Sequence, residues 1–554
     1  MDILLKNREN KMQKIVYGNM VDIFNQKIFP ASIEIENGYI KKISKVDRVL
    51  HSYILCGFID AHIHIESSMM PPSEFARLAL EHGTIGAVTD PHEIANVLGV
   101  DGVKFMIESG KKVPFYFSTG LPSCVPATTF ETAGATIGIA ESKELIELEE
   151  ITHLSEVMNV PAVLSHNSEM MAKIALAKEH NRPIDGHAPL LRGKDLSHYI
   201  ASGISTDHEA VTYDEAKEKI AKGMKIQIRE GSSAKNFEAL YPLIDEFPDS
   251  CMLCSDDLHP DDLVQGHINL LVKRASRKGV NFWKLLQCAS INPNTHYGLS
   301  SGLLRVGDSA DFIEVDNLQD FNVLKTYIKG EIAFSNEKPL LPFQKEQALN
   351  NFKADFIPVN SLKIKTKSHC IRVIKAIDGE LITQEILEKP TLQNGYVVSD
   401  VSQDILKIVV LNRYKKKSKL SIDFIEGFGI KKGAIASTIA HDSHNIIAVG
   451  VDDSDIAKAI NIVIQHQGGI SAVCDGANKI LPLEIAGLMS QQEGKYIAKN
   501  YKKLNTFAKR TMGSTLHAPY MTLSFMALLV IPEIKISDKG LFSAKDFRFV
   551  EFDK

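Results

Sequence analysis

GFIDAHIHIESS, residues 57–68, decides how the chain is read. It starts as an apolar run over 57–63 and ends in polar residues, the profile of a buried strand that delivers side chains at its carboxyl end. In an extended segment, residues i and i+2 face the same way, so His62 and His64 point together. From here to about residue 290, short apolar runs alternate with helical patterns. The runs are 57–63, 85–88, 114–117, 162–164, 184–186, 203–205, 225–228 and 252–254, and helices are expected over 73–80, 168–178 and 213–221. Such alternation predicts an α/β fold with a parallel sheet wrapped by helices. Eight repeats over about 230 residues predict a (β/α)8 TIM barrel, whose active site forms at the carboxyl ends of its strands.

Outward from the barrel the pattern becomes β-like. Val21, Ile23, Ile33, Ile35, Ile40 and Ile43 sit in alternating runs, and Asn37-Gly38 marks a tight hairpin turn. A second β-like stretch over 299–345 is expected to pair with the first. The predicted organisation is therefore 1–57 as the N-terminal part of a small composite β-sandwich domain, 58–290 as the barrel, 291–345 as the return to the β-sandwich, and 346–554 as an additional C-terminal α/β domain. Residues 346–365 read as a linker.

Composition excludes several classes. Of the 554 residues, 44% are hydrophobic and 24% charged, as in ordinary soluble domains. Net charge is −5, from 63 Lys+Arg against 68 Asp+Glu, which argues against a nucleic-acid partner. Lys415-Lys416-Lys417 reads as a solvated turn. No apolar run reaches about 18 residues, so no membrane span is expected. MDILLKNREN lacks the apolar core of a signal peptide. Seven scattered cysteines suit reduced thiols and a cytoplasmic home.

The chemistry lies in polar residues among or just after the strand-like runs. Beyond His62 and His64, these are Glu156 in HLSEVMN, His187 in IDGHAP, His208 in STDHEA, and Asp256-Asp257 in LCSDDLHP. Each alone reads as a structural or surface residue. Together they put His-x-His, Glu, His, His and Asp at strand ends, which structure alone does not explain. Four His and two carboxylates suit two borderline divalent ions, Mn, Fe or Zn. A carboxylate bridges two ions about 3.5–4 Å apart, a spacing at which shared water ionises near neutral pH. Asp256 is the candidate to take the water's proton and pass it to the leaving group.

With these residues in place, the chain resembles the amidohydrolase superfamily and, within it, the adenine deaminases. The resemblance runs over nearly the whole chain. It is carried by GFIDAHIHIESS (57–68), TDPHEIANVLG (89–99), SEVMN (155–159), IDGHAP (184–189), TDHE (206–209), REGSSAKN (229–236) and CSDDLHP (254–260). The C-terminal region adds GFGIKKGAIASTIAHDSHNIIAVG (427–450), LPLEIAGLMS (481–490) and MTLSFMALLVIPEIKISDKGLF (521–542). The resemblance implies hydrolysis of adenine to hypoxanthine and ammonia, in purine salvage, by a homo-oligomer (dimer or tetramer) with a binuclear Mn or Fe centre. It implies one ion on His62, His64, Glu156 and Asp256, and another on Glu156, His187 and His208. Cys56 stands where the superfamily often has Pro, and Ile85 departs from the usual HGTT.

Deamination also needs a proton or strong hydrogen bond at a purine ring nitrogen. Glu93, Glu209, Glu230 and Asp257 are open candidates, each readable equally as a group that orients a metal-bound His. His92 with Glu93 is a candidate pair for a further metal. Arg229, Ser232 and Asn236, and His441 and His444 in the HDSHN cluster, are candidates for substrate contact. The alternatives are another amidohydrolase reaction on a cyclic amide or related aminopurine, or a catalytically silent metal-binding relative.

Overall fold

Parallel pairing organises the middle of the chain in the computed structural model, which describes residues 14–336 and 340–554. The N-terminal decapeptide weighed above against a signal peptide lies outside the described residues. Two units emerge, one of Met1–Pro91, Lys104–Ser123 and Ile139–Gln344, the other of His92–Val103, Cys124–Gly138 and Lys345–Lys554.

In the first unit, strands Phe58–Ile63, Thr84–Thr89, Tyr116–Leu121, Ile151–Val157 and Ile184–Gly186 pair in chain order, all parallel. Thr206–Asp207, Lys225–Arg229 and Cys251–Cys254 continue the same sense in a second ladder. The Ser205 N–H donates to the Ile184 carbonyl at 2.8 Å between the ladders. A parallel bridge between Ile63 and Asp256 brings the last strand beside the first, so the sheet is curled. Every residue of Phe58–Ile63 and Thr84–Thr89 is buried, as expected of parallel strands covered on both faces.

The fourth strand corrects the sequence reading. Residues 162–164 belong to helix Val160–Leu164. Asn159 accepts the Ala162 N–H at 3.1 Å and Pro161 sits in the first turn, both helix-starting features. The strand is instead Ile151–Val157, whose sequence ITHLSEV mixes polar residues into an element buried at every position but Thr152 and so masks the apolar signal. The sixth strand also lies later than expected, at Thr206–Asp207 rather than 203–205.

Strands from both flanks share one seven-stranded sheet. Its order is Glu331–Ser335, Val323–Ile328, Phe312–Val315, Tyr53–Leu55, Lys14–Asp22, Lys27–Glu36 and Tyr39–Lys45. Glu36 faces Tyr39 across Asn37-Gly38, both at positive φ, which is the two-residue turn that matches strand twist.

The second unit centres on an eight-stranded sheet, largely antiparallel, against which helix Asp453–Gln465 buries Ile456, Ile460 and Val463. Segments 92–103 and 124–138, read from sequence as part of the barrel, belong to this unit. The Asn96 carbonyl accepts N–H bonds from Gly134 and Ala135, and Asn445 Nδ2 donates to the Thr132 carbonyl at 2.9 Å. Residues 346–365 are not a free linker either. The Lys353 N–H donates to the Arg413 carbonyl at 2.7 Å, and Leu362 is fully buried in the core.

One buried carboxyl in this sheet makes stability depend on pH. Asp423, on strand Leu420–Glu426, is 4% exposed, and burial pushes its pKa up to about 8. An unfolded Asp titrates near about 3.9, so the folded chain holds a proton that the unfolded chain releases between those values. Stability is therefore lost as pH rises from about 4 to 8. Asp423→Asn is expected to raise the melting temperature at pH 8 by roughly 2–4 °C or more and to leave it nearly unchanged at pH 4. Calorimetry at the two pH values checks this, and an equal shift at both would contradict it.

Candidate metal centre

Asp60 sets the position of the first His pair. Inside an otherwise apolar strand, its Oδ1 accepts the backbone N–H groups of His62 at 3.2 Å and Ser255 at 3.0 Å. Its Oδ2 lies 2.7 Å from His267 Nε2 and also takes the Ser255 hydroxyl. One carboxylate thus ties the first strand end to the last. Asp256, at φ 55°, is held in the left-handed region by its own N–H donating to the His62 carbonyl at 2.9 Å. A left-handed non-glycine residue is uncommon and marks a position over-determined by its surroundings.

Glu156 stands at the middle of the cluster. Its Oε1 lies 3.5 Å from His64 Nε2. Its Oε2 lies 2.8 Å from His187 Nδ1 and 3.1 Å from His208 Nε2. Asp256 Oδ1 lies 3.2 Å from His64 Nε2 and 3.7 Å from His62 Nε2. The His62 and His208 rings stack with centroids 4.1 Å apart. All six residues are buried.

The donor set fits divalent cations. Burial, then the nearby His208 and His64, keep the His62 imidazole well below its usual pKa, so its lone pair is available. Burial works against ionising Glu156, but His187 and His208 outweigh it and hold the carboxyl well below its usual range. Burial likewise opposes a charged Asp256, and Arg229 and His64 override it. Neutral imidazoles beside ionised carboxylates are the protonation states that metal ligands require. The Nε2 atoms of His62 and His187 and the Nδ1 of His208 are buried without a hydrogen-bond partner. Ligating atoms of His62, His64 and Asp256, and of His62, Glu156 and His208, lie within 4.8 Å of one another. His187 and His208 run the other way. Burial opposes charge on His208, but Glu156 and Asp256 raise its pKa. Burial lowers the pKa of His187, but Glu209 and Glu156 raise it to about 9, so an ion binding there displaces a proton.

The remaining candidates separate. Arg229 ends the seventh strand and its Nη1 bonds both Asp256 Oδ2 and Glu209 Oε1, while Nη2 donates to Glu209 Oε2 at 3.1 Å. Glu209 also lies 3.5 Å from His208 Nε2 and 3.6 Å from His187 Nδ1. Asp257 accepts the Ser67 hydroxyl, and Glu230 pairs with Arg274 at 2.7 Å. Ser232 and Asn236 use their polar atoms to brace loops. Ser232 Oγ accepts the His259 N–H and bonds Asp262. Asn236 Oδ1 accepts the Arg229 N–H, and its Nδ2 donates to the His208 and Ala210 carbonyls. Glu93, His441 and His444 come together in the second unit, where His441 Nδ1 lies 2.6 Å from Glu93 Oε1.

The sequence reading missed the supports of this site. Asp60 sits within the decisive motif, and a carboxylate inside an apolar strand was its signal. Asp207, next to His208, accepts the N–H groups of Ala188 and Ala210, each at 2.9 Å, and so fixes the loops after the fifth and sixth strands. Lys219 holds Asp207, Glu215 and the Ala188 carbonyl within 2.8 Å. Nothing distinguished it in the charged stretch YDEAKEK. Lys219→Met would strand two buried carboxylates, with an expected cost of about 3–5 kcal/mol. Denaturant unfolding measures it, and a loss under about 1 kcal/mol, as for a surface pair, would contradict the role.

The amidohydrolase family matches residues 53–333, and the adenine deaminase C-terminal domain matches residues 380–548. An adenine deaminase of Sulfurovum sp. (strain NBC37-1) is 52% identical over 533 residues, covering 96% of this chain and 98% of its own length. One of Methanosarcina mazei is 50% identical over 548 residues, covering 96% and 98%. Among solved structures, a β-aspartyl dipeptidase from Fervidobacterium islandicum AW-1 aligns at 13% identity and a TM-score of 0.46, over 61% of this chain and all of that one. With about half its residues shared along nearly its full length, the chain belongs to the adenine deaminase family of amidohydrolases.

Proposed function

We propose that this chain hydrolyses adenine to hypoxanthine and ammonia, with divalent ions held by His62, His64, Glu156, His187, His208 and Asp256. The observation that carries the reading is identity near 50% to adenine deaminases over 96% of the chain. It is joined by Glu156, whose two oxygens face different imidazoles, as a carboxylate shared by two ions requires. The match over 380–548 favours this substrate over a cyclic amide. A (β/α)8 barrel is the reading we give the curled sheet, supported by the Ile63–Asp256 bridge and the Ser205–Ile184 bond. Mn2+ is the ion we assign, with Fe2+ or Zn2+ compatible with the same nitrogen and oxygen donors. A cytoplasmic setting is supported by seven cysteines that are all free.

Two divalent ions on such a set supply the Lewis acidity that ionises water near neutral pH. The protein's own groups manage the protons. Water contributes its oxygen to C6 of the purine. Asp256, held as a carboxylate by Arg229, accepts the proton released and returns it to the departing amine, so that ammonia leaves. The second proton of that water ends on the ring nitrogen. Glu209, held ionised against burial by Arg229, His187 and His208, has no proton of its own to give and orients Arg229 instead.

Ammonia release from adenine by the Mn-loaded protein tests the reaction. Release with hypoxanthine as product is expected, and its absence in every metal form would remove adenine as the substrate. Asp256→Asn is expected to lower kcat by about 10²–10⁴-fold with the fold intact, and unchanged turnover would remove its proton role. Glu156→Gln is expected to lower bound metal, which elemental analysis reads directly. A full complement of metal in that variant would exclude an essential bridge.

A further inference from the structure

A second cluster of metal-ligating side chains lies in the second unit. His92 and Glu93 open helix His92–Leu98. His441, Asp442 and His444 come from the loop between strands Ala434–Ser437 and Ile446–Gly450. None of the five is more than 5% exposed. His92 Nε2 lies 3.4 Å from Glu93 Oε1 and 3.8 Å from Asp442 Oδ1. His441 Nδ1 lies 2.6 Å from Glu93 Oε1 and 4.0 Å from Asp442 Oδ1.

The five residues do not play one role. His444 Nδ1 accepts the Ala440 N–H at 3.3 Å, so its ring proton sits on Nε2, which meets Glu93 Oε2. His444 therefore orients Glu93 and has no lone pair to offer there. Glu93 Oε1, the His92 ring and Asp442 converge on a common point, their ligating atoms within 4.8 Å of one another. Asp442 Oδ2 is buried without a hydrogen-bond partner. Among the described residues, neither Glu93 nor Asp442 forms an ion pair with a lysine or arginine; their ion-pairing groups are histidines. Arg413 is near enough to oppose charge on His444, yet it too forms no ion pair with either carboxylate. Two buried carboxylates without a fixed cation call for a mobile one.

We propose that His92, Glu93 and Asp442 bind a divalent cation, with His441 at its edge and His444 holding Glu93 in place. Mixed imidazole and carboxylate donors select a borderline ion such as Mn2+, Fe2+ or Zn2+. The ion would clamp the start of helix His92–Leu98 to the 438–445 loop within this unit.

The test counts Mn2+ in the full chain, stripped with a chelator, reloaded with Mn2+ alone and freed of excess. To isolate the second cluster, the count is made in a His62→Ala/His64→Ala/His187→Ala/His208→Ala background, with and without Asp442→Asn, and again with Glu93→Gln. The background protein is expected to retain tightly bound Mn2+, and each added substitution is expected to remove one equivalent per chain. Circular dichroism confirms that each variant is folded. No retained Mn2+ in the folded background protein, or the same content with and without Asp442→Asn and Glu93→Gln, would overturn the proposal. Should the added substitutions unfold the chain, the background count decides alone: one tightly held equivalent abolished by competing Zn2+ supports the site, and none overturns it. Because adenine turnover is not the readout, this result is independent of the deaminase reading.

Discussion

An ionised carboxylate buried among imidazoles is the constraint around which the first unit is built. Glu156 is buried, and removing a carboxylate from water costs several kcal/mol. Compensation comes from rings 2.8, 3.1 and 3.5 Å away, contributed by the fifth, sixth and first strand ends. Those distances hold only if the ladders hold, because each ring is attached to a different strand. The fold therefore commits further buried groups to fixing the backbone. Asp60 grips the strand ends that carry His62 and Asp256, Asp207 grips the loops that carry His187 and Ala210, and Asn236 links Arg229 to the His208 loop.

Buried carboxylates are compensated in two ways. In the first, fixed cations alternate with carboxylates. Arg229 sits between Glu209 and Asp256, and Lys219 between Asp207 and Glu215. In the second, Glu93 is flanked by His441 and His444, groups whose charge depends on conditions. Fixed cations suit a scaffold that must keep one geometry, whereas imidazoles suit a place where a cation comes and goes.

Some of this was legible in the sequence because the signal was local. The Asn37-Gly38 turn needs only two residues, and both strands that flank it announce themselves by alternation. His62 and His64 stand out because they end an apolar run. The strand carrying Glu156 is hard to read for the opposite reason: in ITHLSEV the buried His153, Ser155 and Glu156 interrupt the buried Ile151, Leu154 and Val157, so no apolar run forms. Asn236 and Ser232 looked like substrate contacts because polar residues after a strand invite that reading. Only the fold shows that their amide and hydroxyl are consumed by backbone and loop bonds. The joining of Glu93 to His441 spans 348 positions, a separation at which sequence pattern carries no information.

The tie between Asp60 and Ser255 spans 195 positions, and it implies an order of events during synthesis. Until the eighth strand has left the ribosome, Asp60 lacks Ser255, and the His pair lacks Asp256. Contacts of such long range form late and slowly, after much loop entropy has been spent. A nascent chain that has completed only its first five strands would expose His62, His64 and Glu156 in an unfinished sheet. The cluster is complete only once the last strand has paired with the first and brought Asp256 to the His pair.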